Sequence, residues 1–170
     1  MNQAKAFLQS HEHTDKDDFR TPPYLVKYIE STFGSITHDG ACSEENKLAV
    51  PFNLFGLDEL PDNSMLYINP PFSTPLVKEF VSAAVRKLNN SQGSTCVFLL
   101  PNKLSEVTWC NEINKHFSKI IFLGGRINFI SPYAVKGGAC RSGCFLAIIG
   151  DESDSSILEW ITLRKIKELS

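Results

Sequence analysis

The chain has 170 residues, 42% of them apolar, with a formal net charge of −2; that is enough for one domain with a real core and too little for two comfortable ones. No apolar run approaches the ~20 residues that span a bilayer, and the polar, acidic N-terminus does not read as a signal peptide, so an intracellular protein without a membrane partner is expected. The 5 cysteines (Cys42, Cys96, Cys110, Cys140 and Cys144) contain no CxxC pair, which argues against a disulfide framework; Cys140 and Cys144 with His116 lack a second matching pair, so no metal site is expected.

Residues 1–17 have little periodicity and read as an N-terminal arm, with His11 and His13 in a solvated acidic segment; residues 18–170 read as a single domain. Thr21-Pro22-Pro23 supplies a helix N-cap followed by proline at the first helical position, and Leu25, Val26, Ile29 and Phe33 recur at helical spacing up to Gly34. Ile36 to Asp39 is a short strand candidate. Its end, Asp39-Gly40-Ala41, suits either a plain turn or a carboxylate offered to a cationic or hydroxylated ligand that passes close to the backbone. Ser43 to Asn46 reads as the cap of a short helix, and Leu48 to Leu60 as an irregular Phe-rich segment.

Met65 to Ile68 is an apolar strand that ends in Asn69-Pro70-Pro71-Phe72. The two prolines cannot continue a hydrogen-bond ladder, so the chain leaves the sheet at Asn69. Open α/β sheets bind ligands outside the carboxyl ends of their strands, which makes this loop a candidate site; a strand stop before a helix beginning at Thr74-Pro75 explains the prolines as well. Helical spacing continues through Leu76, Phe80, Val81, Ala84, Val85 and Leu88. Thr95 to Leu100 is a β-branched strand stopped by Pro101 and expected beside the Met65 strand. Ser105 to Phe117 then reads as a helix, Lys119 to Leu123, Ile127 to Ile130 and Cys144 to Ile149 as strands, Ser131 to Gly143 as a loop, and residues 154–169 as a C-terminal helix. The alternation predicts an α/β three-layer sandwich around a mostly parallel sheet.

Charge is unevenly placed. Met1 to Asp62 carry a net −6 and Asn63 to Ser170 a net +4, and no acidic residue occurs from Ile113 to Gly150. That stretch holds Lys115, His116, Lys119, Arg126, Lys136 and Arg141, so it suits a polyanion through local field, although soluble loops between buried strands would look similar. Ser73, Lys103, Arg126, Phe129, Lys136 and Arg141 are the nucleic-acid-binding candidates, with DNA as the expected partner and a homodimer or partner subunit left open.

The Asn69 loop suits one kind of chemistry. An exocyclic amine on a nucleobase is a poor nucleophile because its lone pair is conjugated into the ring. The Asn69 side-chain amide and the Pro70 carbonyl are acceptors that favour the amine as it becomes tetrahedral, with Pro70 and Pro71 holding them rigid. Phe72 can stack on the base, a contact worth roughly 1–3 kcal/mol. A base in a duplex must first be flipped out. The methyl donor expected in the Asp39 crevice is S-adenosylmethionine.

The blocks Asp18-Phe19-Arg20-Thr21-Pro22, His38-Asp39-Gly40-Ala41-Cys42 with Asn46, Asn69-Pro70-Pro71-Phe72, Leu100-Pro101 and Gly125-Arg126-Ile127-Asn128-Phe129 occur in this order. Together they resemble the phage-type DNA N-6-adenine methyltransferase (Dam) family over roughly Asp18 to Gly150. The resemblance implies a class I (Rossmann-like) S-adenosylmethionine-dependent methyltransferase fold and adenine-N6 methylation of DNA. It assigns Thr21, Pro22, Asp39, Ala41, Asn46 and Asn69 to the cofactor pocket and Asn69, Pro70, Pro71 and Phe72 to catalysis, with Arg126 and Phe129 near the target base or its phosphates. The chain departs from the family in having Phe19 where Trp is frequent and Ala41-Cys42 where Ala-Ala is frequent. An Asn-Pro-Pro-Phe by itself also occurs in enzymes that methylate RNA bases or protein glutamine, and a non-catalytic DNA-binding subunit with this fold is the remaining alternative.

Overall fold

Helix α1 (Pro23–Phe33) starts at the paired prolines, with Pro22 as N-cap in an extended conformation, and ends at Gly34, whose φ of 100° suits only glycine. The computed structural model describes residues 20–43, 46–130, 142–150 and 158–169. Strands β1 (His38–Asp39), β2 (Val50–Pro51), β3 (Met65–Ile68), β4 (Thr95–Pro101), β5 (Lys119–Gly124), β6 (Cys144–Ile149) and β7 (Leu158–Thr162) form one sheet in the order β2-β1-β3-β4-β6-β5-β7. Every pairing is parallel except the two made by β6, so one reversed strand lies within an otherwise parallel sheet. The three-layer α/β expectation holds.

Strand alternation sorts the core into two halves. Leu66 and Ile68 of β3 with Cys96, Phe98 and Leu100 of β4 pack under helix α2 (Thr74–Leu88), against Val77, Phe80 and Ala84. Met65, Tyr67, Val97 and Leu99 face the other way, against Leu25 and Ile29 of α1 and Leu163 and Ile166 of helix α3 (Leu163–Leu169). All of these side chains except Met65 and Leu163 are less than 2% exposed. Sheet strands that are buried on both faces read as continuous apolar runs, which is why β3, β4 and β6 were conspicuous in the sequence.

Three expectations need correction. The helix expected from Ser105 to Phe117 is a short, irregular one: Trp109–Ile113 form a π-helical turn and Asn114–His116 a 3-10 turn. The buried Trp109 ring, whose Nε1 donates to Thr74 Oγ1 at 3.3 Å, anchors it on α2. The segment Ile127 to Ile130 is no strand of the sheet, because Gly125, at φ 124°, turns the chain out of β5. Ile130 instead makes an isolated bridge with Arg20, through reciprocal bonds of 2.9 and 3.0 Å. Finally, the C-terminal helix expected over 154–169 starts at Leu163, and Leu158–Thr162 is the edge strand β7. Leu158 and Ile161 fit a helical spacing, but pairing with β5 and the stacking of Trp160 on Phe122, centroids 5.2 Å apart, favour the extended form. Residues 154–157, the arm 1–17 and the loop 131–141 lie outside the described residues.

Candidate active site

Strand order creates the site. From β1 the chain crosses to β2 on one side, and β3 then pairs on the other side of β1, so the switch point of the sheet lies between β1 and β3. A crevice at such a point, outside the carboxyl ends of the strands, is where doubly wound sheets bind ligands. A cleft of ≈ 320 Å³, open to solvent, lies there, lined by Arg20, Thr21, Asp39, Ala41, Asn46, Leu48, Tyr67 and Asn69. Five of the six residues expected in a cofactor pocket therefore meet in one place. The sixth, Pro22, is buried beside them as the N-cap of α1.

Asp39 ends β1 and is 4% exposed. Its Oδ1 accepts from the Ala41 N–H at 3.2 Å and its Oδ2 from the Leu48 N–H at 3.1 Å, which closes the 39–48 segment around the carboxylate. Burial raises its pKa above the usual carboxylate range, with the Leu48 and Ala41 amides opposing the shift. Gly40 keeps the space next to it tight. A Cβ there would lie 3.2 Å from Ile68 Cγ1 and 3.3 Å from Leu66 Cδ1, and the Gly40 N–H bonds the Tyr67 carbonyl at 2.9 Å. Asn46 orders the far lip, where its Oδ1 accepts from the Ser43 N–H at 2.7 Å.

Asn69 leaves β3 half-buried at the cleft, with Pro70 buried behind it. Its Nδ2 points at Thr21 Oγ1, 3.5 Å away, and Thr21 in turn lies 2.7 Å from the buried Tyr67 hydroxyl, whose pKa burial pushes up. Phe72 is half-buried and meets Phe129 edge to face, centroids 6.1 Å apart at 70°. Phe129 is 7% exposed, so it backs Phe72 from the core and offers little surface of its own to nucleic acid.

Arg20 is the residue that sequence reasoning passed over, although it stood in a quoted block. Its Nε is buried with no hydrogen-bond partner among the described residues, and the Ser43 hydroxyl beside the cleft is likewise unpartnered. Unsatisfied buried polar atoms are rare, and of the three among the described residues Arg20 Nε belongs to a lining residue of the cleft, while Asn114 Oδ1 lies away from its lining. A polar ligand carrying acceptors fits such a cleft.

The parallel strands also place the nucleic-acid candidates. Ser73 is exposed after β3, Lys103 is half-buried after β4 with Glu106 3.7 Å away, and Arg126 is exposed after β5, so all three lie on the rim that holds Asn69. The basic stretch expected to act as a unit is instead divided. Lys115 and His116 precede β5, at the opposite end of the sheet, where burial and Lys115 lower the His116 pKa. Lys119 is 8% exposed and paired with Glu159 at 2.9 Å. Lys136 and Arg141 lie outside the described residues. No group of metal-ligating side chains occurs among the described residues, and no helix there is long and apolar enough to cross a membrane.

A parallel sheet interrupted by one reversed strand, with an acidic residue and an Asn-Pro-Pro-Phe loop facing each other at its switch point, defines the architecture of the Rossmann-like methyltransferases. The chain matches the family model for DNA N-6-adenine-methyltransferase (Dam) over residues 9–165, and it belongs to that family. It is similar to a DNA N-6-adenine-methyltransferase of Escherichia phage T1, with 29% identity over 112 residues. The alignment covers 64% of this chain and 45% of that protein, so the chain spans about half the length of the relative it matches.

Proposed function

We propose that the protein methylates the exocyclic N6 of adenine in DNA, with S-adenosylmethionine as donor. The observation that carries this reading is the meeting of Asp39 and Asn69 across one cleft at the switch point of the sheet. Family membership and the similarity to the phage T1 DNA N-6-adenine-methyltransferase support it.

The donor supplies an electrophilic methyl group on a sulfonium. Thr21, Pro22, Asp39, Ala41 and Asn46 would hold it. Asp39 contributes a buried acceptor for its hydroxyl or ammonium groups, and the unpartnered Arg20 Nε and Ser43 hydroxyl contribute donors. The carboxylate, enclosed in a low-dielectric cleft, acts on such groups more strongly than it would in water.

Asn69 has its Nδ2 turned to Thr21, which leaves its Oδ1 for the adenine amine. With the Pro70 carbonyl, that oxygen accepts the two amine hydrogens and favours the pyramidal nitrogen whose lone pair attacks the methyl. No strong base is needed, because the nitrogen becomes acidic once it carries the methyl. Phe72, braced by Phe129, is a stacking surface for an adenine extruded from the duplex, and extrusion costs a few kcal/mol. Arg126 and Lys103, on the same rim, are suited to phosphates.

Sequencing plasmid DNA from expressing cells for N6-methyladenine tests the reading. Methylated adenines in a defined motif, absent from cells carrying Asn69→Ala, are expected. Unmodified DNA, with label from the donor appearing in RNA or protein, would move the activity to another substrate.

A further inference from the structure

Arg20 is the one cation among the described residues that line the cleft, as Asp39 is the one anion, and the two do not pair. The Asp39 oxygens accept from the Ala41 and Leu48 amides, and Arg20 has no ion pair among the described residues. The Arg20 backbone is held by its reciprocal bonds with Ile130 at 2.9 and 3.0 Å, so the side chain starts from a fixed point. Its Nε is nevertheless buried without a partner. Withdrawing part of a charged group from water is costly unless an opposite charge meets it, so the cleft is short of one anion.

Position decides which anion fits. DNA phosphates would meet the exposed rim on which Ser73 and Arg126 stand, whereas Arg20 is half-buried and its Nε is shut off from water. Thr21, next in the chain, lies 2.7 Å from the Tyr67 hydroxyl and 3.5 Å from Asn69 Nδ2, so Arg20 enters the cleft from the β3 side, beside the Asn69 loop. S-adenosylmethionine carries a single anionic group, its carboxylate, on the same short arm as the sulfonium. We infer that Arg20 binds this carboxylate, so that the amino-acid end of the donor lies at Arg20 and Thr21, next to Asn69. The inference rests on the donor proposed above and adds the group that Arg20 recognises. A guanidinium presents a planar fork of N–H groups that matches the two carboxylate oxygens, which an ammonium in its place does not. With Nε withdrawn from water, the attraction is stronger than between exposed charges. Holding the arm beside Asn69 brings the sulfonium with it, so one contact selects the donor and places its methyl group.

Calorimetry on the full chain with S-adenosylmethionine and with its decarboxylated analogue tests this without turnover. The parent protein should bind S-adenosylmethionine about tenfold to hundredfold more tightly than the analogue, the worth of one charge-assisted pair. Arg20→Gln should weaken S-adenosylmethionine by the same factor and change the analogue less than twofold, which also reports that the cleft is intact. Arg20→Lys, which keeps the charge and loses the fork, should recover part of the loss. Equal affinity of the parent for the two ligands would overturn the inference before any variant is made, and so would an equal loss of both in Arg20→Gln. Unchanged S-adenosylmethionine binding in Arg20→Gln would overturn it too, and a slope of log K against log salt for DNA lowered by about one would then give Arg20 to a phosphate. A parent that binds neither ligand would defeat the donor assignment itself; a parent that binds both without regard to Arg20 would leave that assignment standing and defeat the inference alone.

Discussion

The two ends of the sheet are built to opposite rules. At the amino ends of β3 and β4, a cluster of serines is closed on itself: Ser64 N–H donates to Ser94 Oγ at 2.8 Å, and the Ser64 and Ser91 hydroxyls both donate to the Pro61 carbonyl, at 2.6 and 2.7 Å. Asn63, at φ 57°, and Gly93, at φ 64°, make the tight approach that joins these two strand ends, and the Asn63 N–H bonds the Gln92 carbonyl at 2.8 Å. At the carboxyl ends, a carboxylate is buried against its preference, the Arg20 Nε and Ser43 Oγ lack partners, and half-buried Phe72 borders the site. The serine cluster is satisfied without a ligand, and the cleft is not. Polar groups left open around a cleft mark where binding free energy is to be gained, whereas closed clusters mark where it has been used in folding.

Substitutions can break this contrast, and the largest effect is expected from the Asn69 loop. Asn69→Ala should lower methyl-transfer turnover by about 10²–10³ in a single-turnover assay, the loss typical of one preorganised group at a transition state, with the melting temperature little changed. An undiminished rate would mean that the amine is activated by other atoms.

Asp39→Asn should weaken S-adenosylmethionine binding by about tenfold to hundredfold, measured by calorimetry. The pH dependence has a definite sign. Burial raises the folded pKa of Asp39 above its unfolded value, so the folded state holds the proton more tightly, and between the two values Asp39 contributes a loss of stability as pH rises. Donor binding that needs the ionised carboxylate weakens as pH falls through the raised folded value. In Asp39→Asn that acid limb should vanish, and a limb that survives would belong to another group.

At the other end of the sheet, Lys87 is 9% exposed, lies over the Phe52 ring and donates its ammonium hydrogens to the Gly56 and Asp58 carbonyls, clipping the 52–60 segment to α2. Lys87→Met leaves those carbonyls unpaired and should cost about 1–3 kcal/mol of stability in denaturant unfolding, without altering turnover below the melting range. Equal stability would show that the clip is redundant. The smallest effect is expected from charge. Arg126→Gln should reduce the slope of log K against log salt for DNA binding by about one, and Lys115→Gln, on the far end, should leave it unchanged. A matching reduction from Lys115→Gln would place DNA across both ends of the sheet.

What could be read from the sequence was whatever rests on local rules. Prolines end a ladder wherever they fall, so the β3 stop at Asn69 and the cap before α1 were visible from a few residues each. The buried strands announced themselves as apolar runs, and Asp39-Gly40 marked a close backbone approach. What escaped depends on partners distant in the chain. Arg20 is drawn to the cleft edge by its pairing with Ile130, and no local pattern links those two positions. Phe129 was expected near the target base or its phosphates, and the fold sets it behind Phe72. The basic stretch looked like one face because a sequence does not show strand direction, and β5 separates Lys115 from Arg126 by its whole length. For β7, Leu158 and Ile161 satisfy a helical spacing as well as pairing with β5, so only the register with Ile120 and Leu123 decides.

The claim underlying all of this is that the cleft at the β1–β3 switch point is the donor site. A second hollow exists to test it against, a larger one of ≈ 720 Å³ lined by Leu54, Phe55, Gly56, Leu57, Glu59, Arg86, Lys87 and Asn90. Titrating the 15N-labelled protein with S-adenosylmethionine and following backbone amide shifts separates the two. Saturable shifts centred on Thr21, Asp39, Ala41, Asn46 and Asn69, with Gly56, Lys87 and Asn90 unmoved, are the expected result. Shifts centred on Gly56, Lys87 and Asn90, or none at millimolar donor, would contradict it.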